Sequence, residues 1–312
     1  RWSYKTQSKI SLAASGNRIS AIRDFVIPGK EKLLKEDLEL AAGQLQMKAD
    51  VTHRLSNAKS LKSGFSYSLN FYDYYQKQLT NDEYHIGFDY RGHSSLLQAY
   101  LDYQHHISDA LRLNAGLYHQ YFFLNNTKSL EPRLALEYKP TNSHAFAFGF
   151  GEHSQNQPMI FYVRDYINEG VATKSNRNLG FSRSRHWVLS HSYHINAGTK
   201  LKTELYYLQL RRIPVSRTSP YYSGLNQGNE YTFEIPDSLT NTGTGKNNGV
   251  EVSFEKSLTK NLYLLTSGSV FTSKYRGSDQ IWRNSVFNND YIFNLLTGYE
   301  ILTGHSKENK FS

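Results

Sequence analysis

Cysteine is absent from the 312 residues, which excludes disulfides and thiolate metal centres and is compatible with an oxidising envelope. Long apolar runs are missing too. No stretch approaches the roughly 18 apolar residues of a membrane-crossing helix, and strands that cross a bilayer leave no such run. Catalytic signatures are equally scarce: there is no serine nucleophile elbow, no paired-carboxylate motif and no phosphate loop followed by a helix. The stretch TGTGKNNG, with Gly243, Gly245 and Gly249, resembles a nucleotide loop. It leads into a strand-like segment and so lacks the positive helix end that a phosphate needs.

Charge is plentiful but spread out. Thirty-six Lys and Arg oppose 27 Asp and Glu, giving a net charge of +9, yet no basic helix or arginine-rich block forms. Nucleic acid is therefore not the expected partner. A solvated surface is the plainer account of this excess, with lipopolysaccharide phosphates or an acidic ligand as the alternatives. The 12 histidines invite a metal reading, but His105 and His106 are adjacent on a strand and face opposite sides. His186 and His194 share a face about 26 Å apart, so neither set converges on one ion.

What the chain does contain is alternation with a period of two. Leu130, Pro132, Leu134, Leu136 and Tyr138 interleave with Glu131, Arg133, Glu137 and Lys139. Phe146, Phe148 and Phe150 interleave with Ala145, Ala147, Gly149 and Gly151. The same holds for Leu45, Met47, Ala49 and Val51, for Leu61, Phe65, Tyr67, Leu69 and Phe71, and for Val250, Val252 and Phe254. One face of each segment suits lipid and the other suits water.

Connections alternate as well. Short ones are read at Ser56 to Ser60, Ser108 to Ala110, Pro140 to Ser143, Asn196 to Gly198 and Leu258 to Asn261. Long ones are read at Thr80 to Gly92, His153 to Arg185, Pro214 to Asn247 and Arg276 to Asn288, with Asn125 to Lys128 a short link on the same rim. Such one-sided asymmetry belongs to outer-membrane barrels, whose tight turns face the periplasm and whose long loops face outward. The fold expected is all-β, a transmembrane antiparallel barrel.

Roughly twelve strands are expected, with cores at 4–15, 44–55, 61–78, 93–107, 111–124, 129–139, 144–153, 186–195, 199–213, 248–257, 261–275 and 289–302. The composition agrees, with 24 Tyr and 17 Phe alongside a mean hydropathy of −0.61. Aromatics near strand ends, among them Tyr74, Tyr90, Tyr118, Tyr138, Trp187, Tyr193, Tyr207 and Tyr291, are expected to form girdles at the membrane interfaces. One segment reads as a helix: Lys30 to Ala42, following Pro28 and Gly29 and ending at Gly43, is expected to cap the barrel mouth. Ligand contacts are expected from the two longest loops, where Arg164, Asp165, Tyr166, Tyr221 and Tyr222 combine charge with aromatic faces.

Two stretches extend the argument to a family. Glu131 to Met159 (EPRLALEYKPTNSHAFAFGFGEHSQNQPM) and Lys246 to Glu300, with its Gly-Val-Glu strand, Leu-Thr turn and Ser-Lys-Tyr strand end, resemble the barrel of TonB-dependent outer-membrane receptors. The type resembled carries an N-terminal carboxypeptidase-regulatory-like domain. The resemblance implies a barrel of 22 strands, a plug domain, coupling to the TonB complex through that plug, no enzymatic activity and no cofactor. It also implies a place in the outer membrane of a Gram-negative cell, among lipid and lipopolysaccharide. The function implied is uptake of a scarce small ligand: a siderophore, cobalamin, a glycan or a peptide. No export signal or plug is read within 1–312, so the chain is expected to be a barrel fragment. A non-gated porin or adhesin barrel is the alternative; a soluble β-sandwich would need strands nearer about six residues, and an outer-membrane hydrolase lacks any motif.

Overall fold

The computed structural model describes residues 4–26, 28–29, 31–80, 82–168, 171–227, 235–259, 261–303 and 309–311. Its main feature is one antiparallel sheet of 13 strands. In chain order the strands are β1 (Thr6–Phe25), β2 (Leu33–Arg54), β3 (Lys59–Thr80), β4 (Glu83–His106), β5 (Leu111–Phe122), β6 (Thr127–Tyr138) and β7 (His144–Gln155). A loop follows, carrying helix α1 (Met159–Val163) and a small hairpin of β8 (Tyr166–Asn168) and β9 (Val171–Thr173). The wall resumes with β10 (Ser182–Asn196), β11 (Thr199–Ser216), β12 (Leu239–Thr259) and β13 (Leu262–Arg276). Strand β13 pairs with both β14 (Trp282–Asn284) and β15 (Tyr291–Tyr299) along its length. These two occupy one position, so the wall has twelve positions, as the alternation implies. A second hairpin, β16 (Ile301–Thr303) with β17 (Asn309–Phe311), lies apart. The sheet is open, a partial barrel. Among the described residues no helix is long and apolar enough to cross a membrane.

Register fixes which side chains share a face. Moving across the wall, Leu12 lies opposite Met47, Met47 opposite Tyr67, and Tyr67 opposite Leu97. Further on, Leu136 meets Phe148, Phe148 meets Leu189, Leu189 meets Leu205, Leu205 meets Val250, and Val250 meets Val270. These residues belong to one apolar face, and the large ones stay open: Leu189 is 51% exposed and Val270 67%. A soluble monomer rarely carries so wide an apolar patch, whereas a barrel presents it to lipid. The opposite face holds Gln44, Gln46, Ser66, Ser68, Asn70 and Gln98, linked by hydrogen bonds such as Gln44 Nε2 to Asn70 Oδ1 at 2.9 Å. On this polar face the stacked Tyr100 and Tyr118 rings carry the Arg133 guanidinium, 3.7 Å from the Tyr118 centroid. The Tyr100 ring covers Gly64, where an added Cβ would come within 2.6 Å of Asp50 Oδ1 and 2.8 Å of the Ala49 carbonyl.

The connections at one rim are all tight, matching the five short turns read from the sequence. At the other rim the long connection read from Pro214 to Asn247 is shorter, since β11 runs to Ser216 and β12 begins at Leu239, and two further places depart altogether. Lys30 to Ala42 is not a helix: residues 33–42 form the first part of β2, paired with β1 from Leu33 to His53. Nor is Thr80 to Gly92 a long loop, since β4 already begins at Glu83 after a two-residue turn with Asp82 in the left-handed region at φ 62°. Both departures have one cause. Below Gly43 the lipid side of β2 is apolar (Leu45, Met47, Ala49, Val51), but above it the same side carries Asp37 and Glu39. The inner side changes in the opposite sense, from Gln44 and Gln46 to Leu38 and Leu40. Strands β3 and β4 invert at the same height, with Asp73, Lys77, Asp89 and Arg91 outside and Tyr72, Tyr74, Phe88 and Tyr90 inside. A strand whose apolar face changes sides at midlength loses its simple alternation and imitates a helix.

Length supports a membrane boundary at this level. The 24 residues of β4 span roughly 79 Å along the strand at about 3.3 Å each. Even tilted by about 45°, that is roughly twice the height of a 25 Å apolar band.

Candidate ligand vestibule

Above the inversion, apolar inner side chains require cover, and the two longest loops supply it. The buried cluster comprises Phe122 of the wall, Met159, Phe161, Tyr162 and Val163 of α1, Leu179 and Phe181 after it, Ile235 from the loop before β12, and Leu239 at the start of β12. Tyr72, Tyr74, Tyr90 and Leu96 of the wall pack against it. Edge-on contacts join Tyr72 to Tyr74 with ring centroids 5.4 Å apart, and Phe122 lies 5.4 Å from Tyr162. A bulge at Arg212, in the left-handed region at φ 55°, breaks the β11–β12 register beside Ile213 and Val215, both buried.

The loops are fastened by asparagines. Asn176 is fully buried; its Nδ2 donates to the Pro236 carbonyl at 3.0 Å and to the Tyr166 hydroxyl at 3.1 Å, while its Oδ1 accepts from the Leu239 amide at 2.8 Å. Asn125 Nδ2 donates to the Leu179 carbonyl at 2.7 Å. Asn241 Oδ1 accepts from the Gly180 amide at 2.7 Å, and its Nδ2 donates to the Arg212 carbonyl at 2.8 Å. Each asparagine satisfies backbone groups that burial would otherwise leave without partners. Nothing in the sequence singled these residues out, because an isolated asparagine in a loop carries no pattern.

Five loop residues were expected to meet ligand, and the structure places them unequally. Tyr166 packs on the cluster, and its hydroxyl donates to the Ile235 carbonyl at 2.9 Å. The Arg164 guanidinium stands 5.9 Å from the Tyr166 ring centroid. Tyr222 also packs on the cluster, and its buried hydroxyl has no hydrogen-bond partner among the described residues. Asp165 accepts from Lys174 Nζ at 2.5 Å. Tyr221 is 63% exposed and is bound through its carbonyl, which accepts from the Tyr275 hydroxyl at 3.2 Å. Arg164, Tyr166 and Tyr222 are thus gathered at the cluster.

Burial controls the protonation of these phenols. It pushes Tyr162 and Tyr166 up to about 12 and raises Tyr222 as well, so all three stay protonated and neutral at physiological pH. Beside the cluster, a cleft of about 500 Å³ runs along the inner wall, lined by Gln155, Gln157, Ser182, Ser184, Ile213 and Leu225 among others. Its size suits a small molecule. The combination of aromatic faces, neutral hydroxyls, amides and one guanidinium offers a small molecule stacking surfaces and hydrogen-bonding groups.

Four histidines form two pairs, one on each face. His186 meets His153 on the inner side, with centroids 5.0 Å apart, while His191 and His144 share a hydrogen bond of 3.0 Å on the lipid side. Several expected girdle residues divide in the same way: Tyr138, Trp187, Tyr193, Tyr207 and Tyr291 lie on the lipid face, but Tyr74, Tyr90 and Tyr118 lie inside. Gly243, Gly245 and Gly249 fall within β12, consistent with a strand rather than a phosphate loop.

Comparison with known proteins agrees with this architecture. Residues 5–306 match the family described as TonB dependent receptor-like, beta-barrel. No curated protein sequence matches the chain. Among solved structures, the ferric preacinetobactin receptor BauA from Acinetobacter baumannii is similar at 12% identity and a TM-score of 0.68, covering 97% of this chain and 48% of its own. The pyoverdine outer membrane receptor FpvA from Pseudomonas aeruginosa, bound to pyoverdine, gives 12% and 0.67, over 95% and 45%. The ferric yersiniabactin uptake receptor FyuA from Yersinia pestis gives 14% and 0.64, over 95% and 45%. The chain spans less than half the length of each.

Proposed function

The chain belongs to the TonB-dependent receptor β-barrel family, and from that premise we propose that it forms wall and extracellular vestibule of an outer-membrane receptor importing a scarce nutrient. The observation that carries this reading is the inversion of polarity at Gly43. It gives one wall a lipid band below, a hydrated lumen inside that band, and above it an aromatic cluster packed under the two longest loops. A pore that only filters solutes has no need of a loop roof packed on its inner wall.

In this reading the chain is the barrel portion of a longer receptor of the type with an N-terminal carboxypeptidase-regulatory-like domain. A plug outside these residues closes the lumen and couples to TonB; the barrel transports and does not catalyse. Its surroundings are outer-membrane lipid and lipopolysaccharide of a Gram-negative cell. The ligand is a small molecule with planar or sugar-like faces and an anionic group, drawn from siderophores, cobalamin, glycans or peptides. The similar receptors named above are described as receptors for ferric preacinetobactin, pyoverdine and ferric yersiniabactin, which favours the first of these. Arg164 meets the anionic group, Tyr72, Tyr74 and Tyr90 offer ring faces, and Tyr222, its hydroxyl buried, packs on the cluster that supports them. Tyr166 orients Arg164, while Asp165 and Tyr221 line the approach.

The test is uptake in the native bacterium. Growth on the limiting nutrient should require both this gene and a functional TonB complex. Uptake that persists without TonB would instead indicate an open pore.

A further inference from the structure

Charge on the lipid side of the wall is distributed unevenly at the loop rim. On β1 to β4, above the apolar band, Arg18, Lys77 and Arg91 are balanced by Asp37, Glu39, Asp73 and Asp89, with Arg18 2.7 Å from Glu39 and Arg91 2.6 Å from Asp73. On β7 to β13 the balance is lost. The register there builds two rows on the same face as Trp187 and Leu205, directly above the aromatic level of Phe150, Trp187 and Tyr207. The lower row runs Glu152, Arg185, Gln209, Lys246, Lys274, and the upper runs Ser154, Arg183, Arg211, Thr244, Arg276. Six cations face one carboxylate, and Glu152 is already paired with Arg185.

Two of these contacts place like charges directly opposite one another: Arg183 against Arg211, and Lys246 against Lys274. Such cross-strand pairs destabilise a sheet unless an anion lies between them. Among the described residues none of the four has a carboxylate partner. Trp282 stands between Lys246 and Arg276, with cation-to-centroid distances of 4.6 and 4.8 Å, as an interfacial indole does at headgroup level.

We propose that this double row is a binding belt for the phosphates of the phosphorylated glycolipid, lipopolysaccharide, that surrounds the barrel. The proposal rests on the outer-membrane reading above and adds to it the residues and the sector of the wall. Acyl chains lie on Leu189, Leu205, Val250 and Val270, while the phosphates reach the paired cations one level higher. Guanidinium forks suit phosphate oxygens, and the lysines act as point charges on flexible stems.

The experiment uses the full-length receptor in mild detergent, titrated with lipid A that carries its phosphates and with lipid A from which they have been removed. Arg183→Gln, Arg211→Gln, Lys246→Gln and Lys274→Gln combined should weaken binding of the phosphorylated lipid at least about tenfold, since each basic residue near an anionic surface contributes appreciably. Binding of the dephosphorylated lipid should be weak and unchanged. Arg18→Gln with Arg91→Gln, on the balanced sector, should leave binding intact. Heat-modifiable migration in electrophoresis reports folding; if the fourfold variant is not folded, Arg211→Gln and Lys246→Gln singly should each show a severalfold loss. Equal binding by wild type and folded variants would overturn the belt, as would equal affinity for both lipids or displacement by inorganic phosphate alone at matching concentration. Failure of the belt would leave TonB-dependent uptake untouched, whereas failure of the receptor reading would appear as wild-type protein absent from the outer membrane.

Discussion

Replacing Asn176 by alanine tests whether the vestibule roof is held as described. The side chain is fully buried and makes three hydrogen bonds, but its partners are not equally dependent on it. The Pro236 carbonyl also lies 3.0 Å from the Tyr166 hydroxyl, whose single proton it shares with the Ile235 carbonyl, so it keeps part of a donor. The Leu239 amide, within the buried cluster, loses its acceptor. Leaving one buried donor unpaired costs about 1–3 kcal/mol. The cost falls on the loop rather than the wall, so the opening equilibrium of that segment should rise roughly 5- to 150-fold, while global stability hardly changes. Hydrogen exchange read by mass spectrometry on peptides covering 235–240 would show this as faster exchange at Leu239 in Asn176→Ala. Asn176→Asp keeps an acceptor for Leu239 but sets a carboxylate oxygen against the Pro236 carbonyl, so it should also loosen the segment and recover partly in acid. Unchanged protection at Leu239 in the alanine variant would refute the assignment of Asn176 as the fastener.

Three further outcomes follow from the same geometry. Gly64→Val should destabilise the barrel by about 1–3 kcal/mol, because the new Cβ meets Asp50 and the Ala49 carbonyl; urea unfolding monitored by tryptophan fluorescence would register it. In the loop after β13, hydrogen bonds from Arg283 hold Asp279 down to about 2 against an ordinary 3.8. A depressed carboxylate stabilises above its unfolded pKa, so the loop should resist protease above about pH 4 and lose that resistance as pH falls towards 2, with Asp279→Asn removing the dependence. The phenols of Tyr162 and Tyr166 are raised by burial to about 12, so their stabilising effect is complete below the ordinary tyrosine pKa and lost as pH rises through about 12. Alkaline titration at 295 nm should show these late-ionising tyrosines, and Tyr162→Phe should remove one of them.

Much of the wall was legible because register and polarity coincide within the membrane. All five tight turns and the twelve wall positions follow from segments such as Leu130 to Tyr138, where every second residue meets lipid. Legibility ended at Gly43. Leu38 and Leu40 face inward while Leu45 and Met47 face outward, and the intervening Ala41, Ala42 and Gly43 join the two sets into a helix-like spacing. The charged outer residues Asp89 and Arg91 likewise made the start of β4 look like a loop. For the vestibule, loop aromatics drew attention to Tyr166 and Tyr222. Asn125, Asn176 and Asn241 act through pairings across 54, 63 and 61 residues, which no local spacing reveals.

These 312 residues contain no cysteine, so in a full-length receptor with any cysteine outside them replaced by serine, single cysteines can be spin-labelled along β2 and β3 after reconstitution, and their collision rates measured with oxygen and with a polar nickel complex. Labels at Leu45, Met47 and Phe65 should favour oxygen, as a hydrocarbon surround does. Labels at Gln44, Gln46 and Ser66 should favour nickel. On the lipid side above Gly43, at Glu39 and Asp73, the preference should turn to nickel. Oxygen preference that continued unbroken through Glu39 and Asp73, or that failed to alternate between Leu45 and Gln46, would contradict a wall whose lipid face ends at Gly43.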